Sequence, residues 1–256
     1  MTTGLNHIHT MNMIQTSERR ERSRAARRDA FLDATRELIE EHGIEALTIK
    51  AVAERVDCAV GTLYTYFSSK GALVAALQAE AITRLGAAYS RAADRLEDDL
   101  ATLAIDVDTA ALARLVAFGR SIIAVGQVLP EEYRLQQRLL SAQTGYDDDD
   151  LALVAPVAFA VLARPERLLR EAAALGVIDD GDAFDRTIAW VAGINGVLTL
   201  ASVQWPGADG FDPASLADML HLNLLRGWGA EPGALAAADA AVPRSRMAAL
   251  LDGSDR

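Results

Sequence analysis

Residues 48–67 read TIKAVAERVDCAVGTLYTYF, and the order of apolar, small and turn-forming residues in this stretch decides the fold. Thr48 is a residue type that accepts a backbone hydrogen bond at a helix start. Ile49, Val52, Ala53 and Val56 fall at i, i+3, i+4 and i+7, which gives a short helix one buried face. Asp57-Cys58-Ala59 leaves room only for a tight turn. Val60 to Phe67 then predicts a second short helix, with Leu63, Tyr64 and Phe67 on one side.

Two short helices at a three-residue turn make a helix-turn-helix, whose second helix enters the major groove of DNA. The first helix needs a small residue where the second crosses it, and Ala53 supplies one. The turn needs a residue that tolerates positive φ; Asp57 does so less readily than glycine. The second helix must bury one side and present a low-relief surface on the other. Leu63 and Phe67 suit the first role. Val60, Gly61, Thr62 and Thr65 are small enough for the second. Tyr64, Tyr66, Ser69 and Lys70 offer hydroxyl and ammonium donors to phosphates.

Outward from this motif the chain reads as helix throughout. Ala and Leu dominate, aromatics are scarce, and no useful run of alternating polarity occurs, so an all-α protein is expected. Upstream, Ala26, Ala30, Phe31, Ala34, Leu38 and Ile39 form a stripe from Ser23 to Glu41, ended by Gly43. Downstream, Ser68 or Ser69 caps a long helix to about Leu96, and Glu97–Asp108 reads as a connection. Further helices are expected over 109–128, from Pro130 to about Gly145, over 151–175, from Phe184 to about Gln204, and over 213–228. Residues 1–22 lack periodicity and are expected to be a disordered basic tail, in which Met11 and Met13 are alternative starts to Met1. Residues 229–256 are rich in Ala, Gly and Pro and are expected to be loose. The division is then 23–70 for the helix-turn-helix domain and 71–228 for a larger helical domain.

The net charge of −11 is unevenly spread. Residues 1–70 hold ten basic and ten acidic side chains, whereas the remainder holds 15 basic and 26 acidic. Within Ser17–Arg36 seven arginines face four acids. Such a head on an acidic body suits a polyanion at one end, although a solvated basic tail would give the same composition. The one cysteine, Cys58, excludes an intrachain disulfide and fits a reducing compartment. Neither a signal peptide nor an uninterrupted apolar run of membrane-spanning length is legible, so a cytoplasmic protein without a membrane partner is expected.

Residues 24–77 resemble the DNA-binding domain of the tetracycline-repressor (TetR) family. The resemblance is carried by Leu47-Thr48-Ile49-Lys50-Ala51-Val52-Ala53-Glu54, Gly61-Thr62-Leu63-Tyr64-Thr65-Tyr66-Phe67, Ser69-Lys70 and Leu73. It implies that Thr48 caps its helix and touches phosphate, and that Gly61 and Thr62 approach bases; Val60, beside them on the low-relief face, is a further candidate DNA contact. It further implies that Tyr64 and Tyr66 contact the backbone, and that Ser69 and Lys70 meet phosphate at the start of the long helix. Arg24, Arg27 and Arg28 would form a basic extension near the DNA. Asp57 stands where glycine is usual, Ala59 where a capping serine is usual, and Gly71 where an acid is usual.

The resemblance also implies a homodimer on a two-fold operator of double-stranded DNA, with recognition helices about 34–36 Å apart or a multiple of that. The dimer would pack through residues 151–175 and the helix after Phe184, where Ile188, Ala192, Gly193, Gly196, Val197 and Leu200 permit close approach; the same face could equally be intrachain core. A small-molecule effector pocket is implied within each subunit, with Tyr89, Leu115, Phe118, Ile122, Tyr133, Gln137 and Phe159 as candidate walls. An apolar or amphipathic ligand would favour a form with mis-spaced recognition helices and so act on a repressor. A different possibility is a redox-responsive regulator sensing through Cys58, set against a buried, inert thiol in the turn. Asp147–Asp150 lacks the ligand spacing of a calcium loop and instead suits a helix start. The histidines are scattered, and no catalytic constellation, metal set or cofactor loop is legible, so an enzyme is not expected.

Overall fold

The computed structural model describes residues 3–141, 146–200 and 212–252. Among these, every regular element is a helix. Helix α1 spans Thr3–His42, α2 Ile49–Arg55, α3 Val60–Tyr64 and α4 Lys70–Thr102. Helices α5 (Val107–Val128), α6 (Pro130–Ser141) and α7 (Asp148–Ala174) follow, then α8 (Ala183–Thr199), α9 (Pro213–Gly227), α10 (Pro232–Ala241) and α11 (Arg244–Asp252). The chain divides into one compact unit of residues 1–78 with 141–154, and a second of 79–140 with 155–256.

In the first unit, α1, α2 and α3 pack around Phe31, Leu32, Ile39, Leu47, Val52 and Leu63, joined by Leu73 and Leu77 from the start of α4. Each of these side chains is buried, and full burial of one contributes about 1.5–3 kcal/mol. Gly43 ends α1 with φ +81°, the left-handed conformation that glycine adopts without strain. The α1 helix begins at Thr3, so residues 3–22 continue the helix rather than form the expected loose tail. Arginine and glutamate are good helix formers, and the segment needs no apolar face to extend an existing helix. Arg22 Nε donates back to the Glu18 carbonyl at 3.2 Å within this stretch.

The second unit is organised around α5, fifteen of whose residues are buried. Helices α8, α9, α10 and α11 all pack against it. By length and mean hydropathy α5 could cross a membrane, but Arg114 and Arg120 interrupt it and 83% of its most apolar window is buried inside this unit. It is a core helix. Asp106 caps it, accepting from Thr109 N at 2.8 Å, so the expected connection 97–108 shrinks to a few residues between α4 and α5.

Residues 232–252 are a clear correction: they form α10 and α11. Leu235, Ala238, Val242, Met247, Leu250 and Leu251 are buried in the core. Helices this short are marginal alone, and tertiary burial rather than propensity holds them. Asp147 Oδ1 accepts from Asp150 N at 2.8 Å, so the acidic run does open a helix. The expected ends of two helices, near Gly145 and near Gln204, lie outside the described residues.

Candidate nucleic-acid interface and cavity

Thr48 sits in extended conformation before α2, and its Oγ1 accepts from Ala51 N at 3.1 Å. The turn closes through Cys58 N, which donates to the Ala53 carbonyl at 2.9 Å, over the small residue expected there. Asp57 takes φ +51°, the only positive φ of a non-glycine among the described residues. Ala59 precedes α3 and provides no side-chain cap. Cys58 is half-buried rather than buried as expected.

Helix α3 is anchored on one side by Leu63 and, just beyond its end, Phe67, both buried. Its other side is open. Val60, Gly61 and Thr65 are exposed, and nothing lies within 4 Å of where a Gly61 Cβ would stand. Thr62 is half-buried. Tyr64 is 52% exposed and so lies on the open face, not beside Leu63 and Phe67 as the helical pattern predicts. The helix is only five residues long, and its geometry ends before the pattern repeats.

Tyr66 turns inward and meets Phe31 edge-on at 5.2 Å between ring centroids. The three candidate arginines reach the same aromatic cluster. Arg24 lies over Tyr66 at 5.7 Å, Arg27 over Phe31 at 5.8 Å and Arg28 over Phe67 at 5.6 Å. All three remain exposed. Stacking fixes a planar guanidinium by its face and leaves its edge donors available. This fixing of the basic extension to the motif was not legible in the sequence.

Ser69 Oγ accepts from Ala72 N at 2.9 Å and caps α4. Lys70 Nζ donates to the Ile44 carbonyl at 3.1 Å and remains exposed, with further donors to offer. At Gly71 a Cβ would collide with the Asp150 carboxylate. The missing acid of the family pattern is thus matched by an acid from elsewhere in the chain, set against the positive end of α4. Arg55 braces α2 to α1 through Glu37 at 2.9 Å and Glu41 at 2.7 Å, and that hydrogen bond holds the Glu41 carboxyl below its usual range.

The second unit contains a cavity of about 210 Å³. Tyr89, Phe118, Ile122 and Tyr133 line it, four of the seven candidate wall residues. The others are elsewhere. Leu115 is fully buried core, and Phe159 is 57% exposed on α7, near Phe184. Gln137 stands behind the wall, donating through Nε2 to Asn195 Oδ1 at 2.8 Å and accepting from Thr199 Oγ1 at 3.1 Å. Helical periodicity identifies a face but not which neighbour it turns toward, hence the misplacement of Phe159.

Gln136, Asn195, Val161 and Val191 line the cavity without having been anticipated. Gln136 lies at i+3 from Tyr133, a usable signal. Asn195 is a polar residue inside an apolar helix, another. Tyr133 Oη donates to Asn195 Oδ1 at 3.3 Å, and burial pushes its phenol up to about 12. Burial raises the Tyr89 phenol as well. Both stay protonated at neutral pH.

On α8, Ile188, Ala192 and Gly196 are exposed along one stripe that its C-cap residue Leu200 continues, whereas Val197 is half-buried and packs inward against the core. Gly193 also faces inward; a Cβ there would come within 3.2 Å of Leu220 on α9. Phe159, Phe184 and Met219 add exposed apolar surface to the second unit. Among the described residues, no group of His, Cys, Asp and Glu could hold a metal.

Residues 31–77 match the family model for bacterial regulatory proteins of the tetR family. The chain is 41% identical over 81 residues to the HTH-type transcriptional repressor KstR of Mycolicibacterium smegmatis; this covers 32% of the chain and 40% of KstR. The chain thus matches well under half the length of this curated relative. Solved structures share the fold over more of the chain. A protein of unknown function from Rhodococcus sp. RHA1 aligns with a TM-score of 0.58 at 23% identity, over 78% of this chain and 94% of that one. RolR, crystallised in complex with resorcinol, aligns with a TM-score of 0.54 at 16% identity, over 85% and 95%.

Proposed function

We propose that this chain, which belongs to the tetR family of bacterial regulatory proteins, is a ligand-responsive transcriptional repressor that binds a two-fold operator as a homodimer. The observation that carries the DNA-binding part is α3 itself. One side is locked by Leu63 and Phe67, and the other offers the uncovered backbone of Gly61. Gly61, Thr62 and Val60 approach base edges. Thr48, Tyr64, Tyr66, Ser69 and Lys70 hold the phosphates on either side, with Arg24, Arg27 and Arg28 extending that contact. KstR, to which the same segment is similar, is a repressor by name.

The homodimer forms through α7 and α8, where Ile188, Ala192, Gly196 and Leu200 are exposed and small residues allow close packing. The effector occupies the cavity beside Tyr89, Phe118, Ile122 and Tyr133; that the fold-mate RolR was crystallised in complex with a small molecule, resorcinol, supports an effector of this kind. The same helix, α4, carries Lys70 into the first unit and Ile82, Leu85 and Tyr89 into the cavity wall. Ligand and DNA therefore bias one element, and each weakens binding of the other by the same factor.

The test is anisotropy of the full-length protein with duplex DNA from upstream of its own gene. Binding should compete poorly with unrelated DNA and fall steeply between about 50 and 200 mM salt. Equal affinity for unrelated DNA at every salt concentration would sink this function.

A further inference from the structure

The polar groups of the cavity are not equivalent. Asn195 is held on both sides of its amide: Oδ1 accepts from Gln137 and Tyr133, and Nδ2 donates to the Val191 carbonyl at 2.8 Å. Gln136 is different. Its Oε1 is buried and has no hydrogen-bond partner among the described residues. Turning that amide toward the cavity breaks no hydrogen bond at this oxygen, and a donor placed there would relieve an unsatisfied buried acceptor. The rest of the wall is apolar, from Ile82, Leu85, Phe118 and Val161 among others. Among the described residues no Asp, Glu, Lys, Arg or His lines it, and the two tyrosines stay neutral. An ionic ligand would be desolvated there with no counter-charge from the described residues, which disfavours it.

We infer that the ligand of this cavity is an uncharged, mainly apolar molecule bearing a hydroxyl that hydrogen-bonds the Gln136 amide. The inference rests on the cavity being the effector site. A hydroxyl donates and accepts, so it satisfies either end of the amide. Size follows from volume. A dry cavity of about 150 Å³ admits benzene, so about 210 Å³ admits a ring with a short alkyl tail. A neighbouring groove of about 350 Å³ shares Tyr89, Phe118 and Val161 with the cavity and is bordered by Arg164. An anionic ligand would have to lodge there instead.

Calorimetry on the full-length protein at pH 7, without DNA, separates these cases with three probes of one skeleton: 4-butylphenol, butylbenzene and 4-butylbenzoate. The phenol should bind about tenfold more tightly than butylbenzene, the value of one buried hydrogen bond, and the benzoate more weakly than both. In Gln136→Leu the phenol should lose its advantage, while butylbenzene still binds and so reports an intact cavity. Tightest binding by the benzoate, an equal affinity for phenol and butylbenzene, a phenol preference that survives Gln136→Leu, or no binding of any probe would overturn the inference. Because no DNA is present, a failure here leaves the operator test above standing, and a failure of that test leaves this one standing.

Discussion

Arg120 on α5 donates through Nε to Asp218 Oδ1 on α9 at 2.8 Å, and through Nη2 to Asp218 Oδ2 at 3.1 Å. Both side chains are about nine-tenths or more buried, at 5% and 10% exposure. The same guanidinium reaches the carbonyl of Val242 and the carboxylate of Asp239, so one arginine fastens α9 and the α10 region to the central helix. Asp239 is 43% exposed and its charge is largely screened. Asp218→Ala leaves a buried cation short of its partner and should destabilise by about 3–5 kcal/mol. Asp239→Ala should change stability by about 1 kcal/mol or less. Urea unfolding of the two variants against the parent measures both, and equal losses would contradict this ranking.

Helix α3 lacks a side-chain cap at Ala59, which already holds the extended conformation of a capping residue. Ala59→Ser should therefore stabilise the first unit by about 1 kcal/mol. Asp57→Gly should add a smaller gain, since glycine adopts φ +51° without a Cβ penalty. Thermal melting reads both. A neutral or destabilising Ala59→Ser would mean that Leu63 and Phe67 alone fix the start of α3.

His221 is stacked on Trp190, and its Nδ1 accepts from Trp190 Nε1 at 2.9 Å. Burial lowers its imidazole to about 4, against 6.5 in an open chain. Above pH 6.5 both folded and unfolded forms are neutral, and the group contributes nothing to pH dependence. As pH falls from 6.5 toward 4, the unfolded chain takes up a proton that the folded one refuses, and stability drops by up to about 3 kcal/mol. His221→Phe should flatten the loss of melting temperature across that window relative to the parent. Parallel curves would show that His221 does not carry it.

Much of this architecture is legible locally. Thr48, Ser69, Asp182 and Pro130 open helices where their residue types predict, because capping is a short-range interaction. The two units differ in how far local pattern reaches. The first holds the short, strongly patterned motif helices: α2 emerges close to its expected bounds, and α3 starts where expected but ends at Tyr64, three residues early. In the second, α10 and α11 exist because Leu235, Val242 and Leu250 find α5, a fact about partners distant in sequence. The cavity is opaque for the same reason. Gln136 and Asn195 are 59 positions apart, and neither carries a motif that announces the other.

Lys70 and Thr62 should behave as different kinds of contact. Lys70→Ala removes a phosphate partner, so it should weaken all DNA sequences alike and reduce the salt slope by about one ion. It also releases the Ile44 carbonyl from its hydrogen bond, so the melting temperature should be recorded alongside. A sequence-dependent loss in Lys70→Ala would place this residue at base edges instead.

Under the proposed function, α3 reads sequence in two copies across a dyad. Selection from a pool of random duplexes by the full-length protein, followed by the same selection with Thr62→Ala, tests it most directly. Enrichment of an inverted repeat is expected, with half-site centres separated by about one helical turn or a multiple of it. Thr62→Ala should alter the preferred bases symmetrically in both half-sites. No enriched motif, or one that Thr62→Ala leaves unchanged, would contradict it.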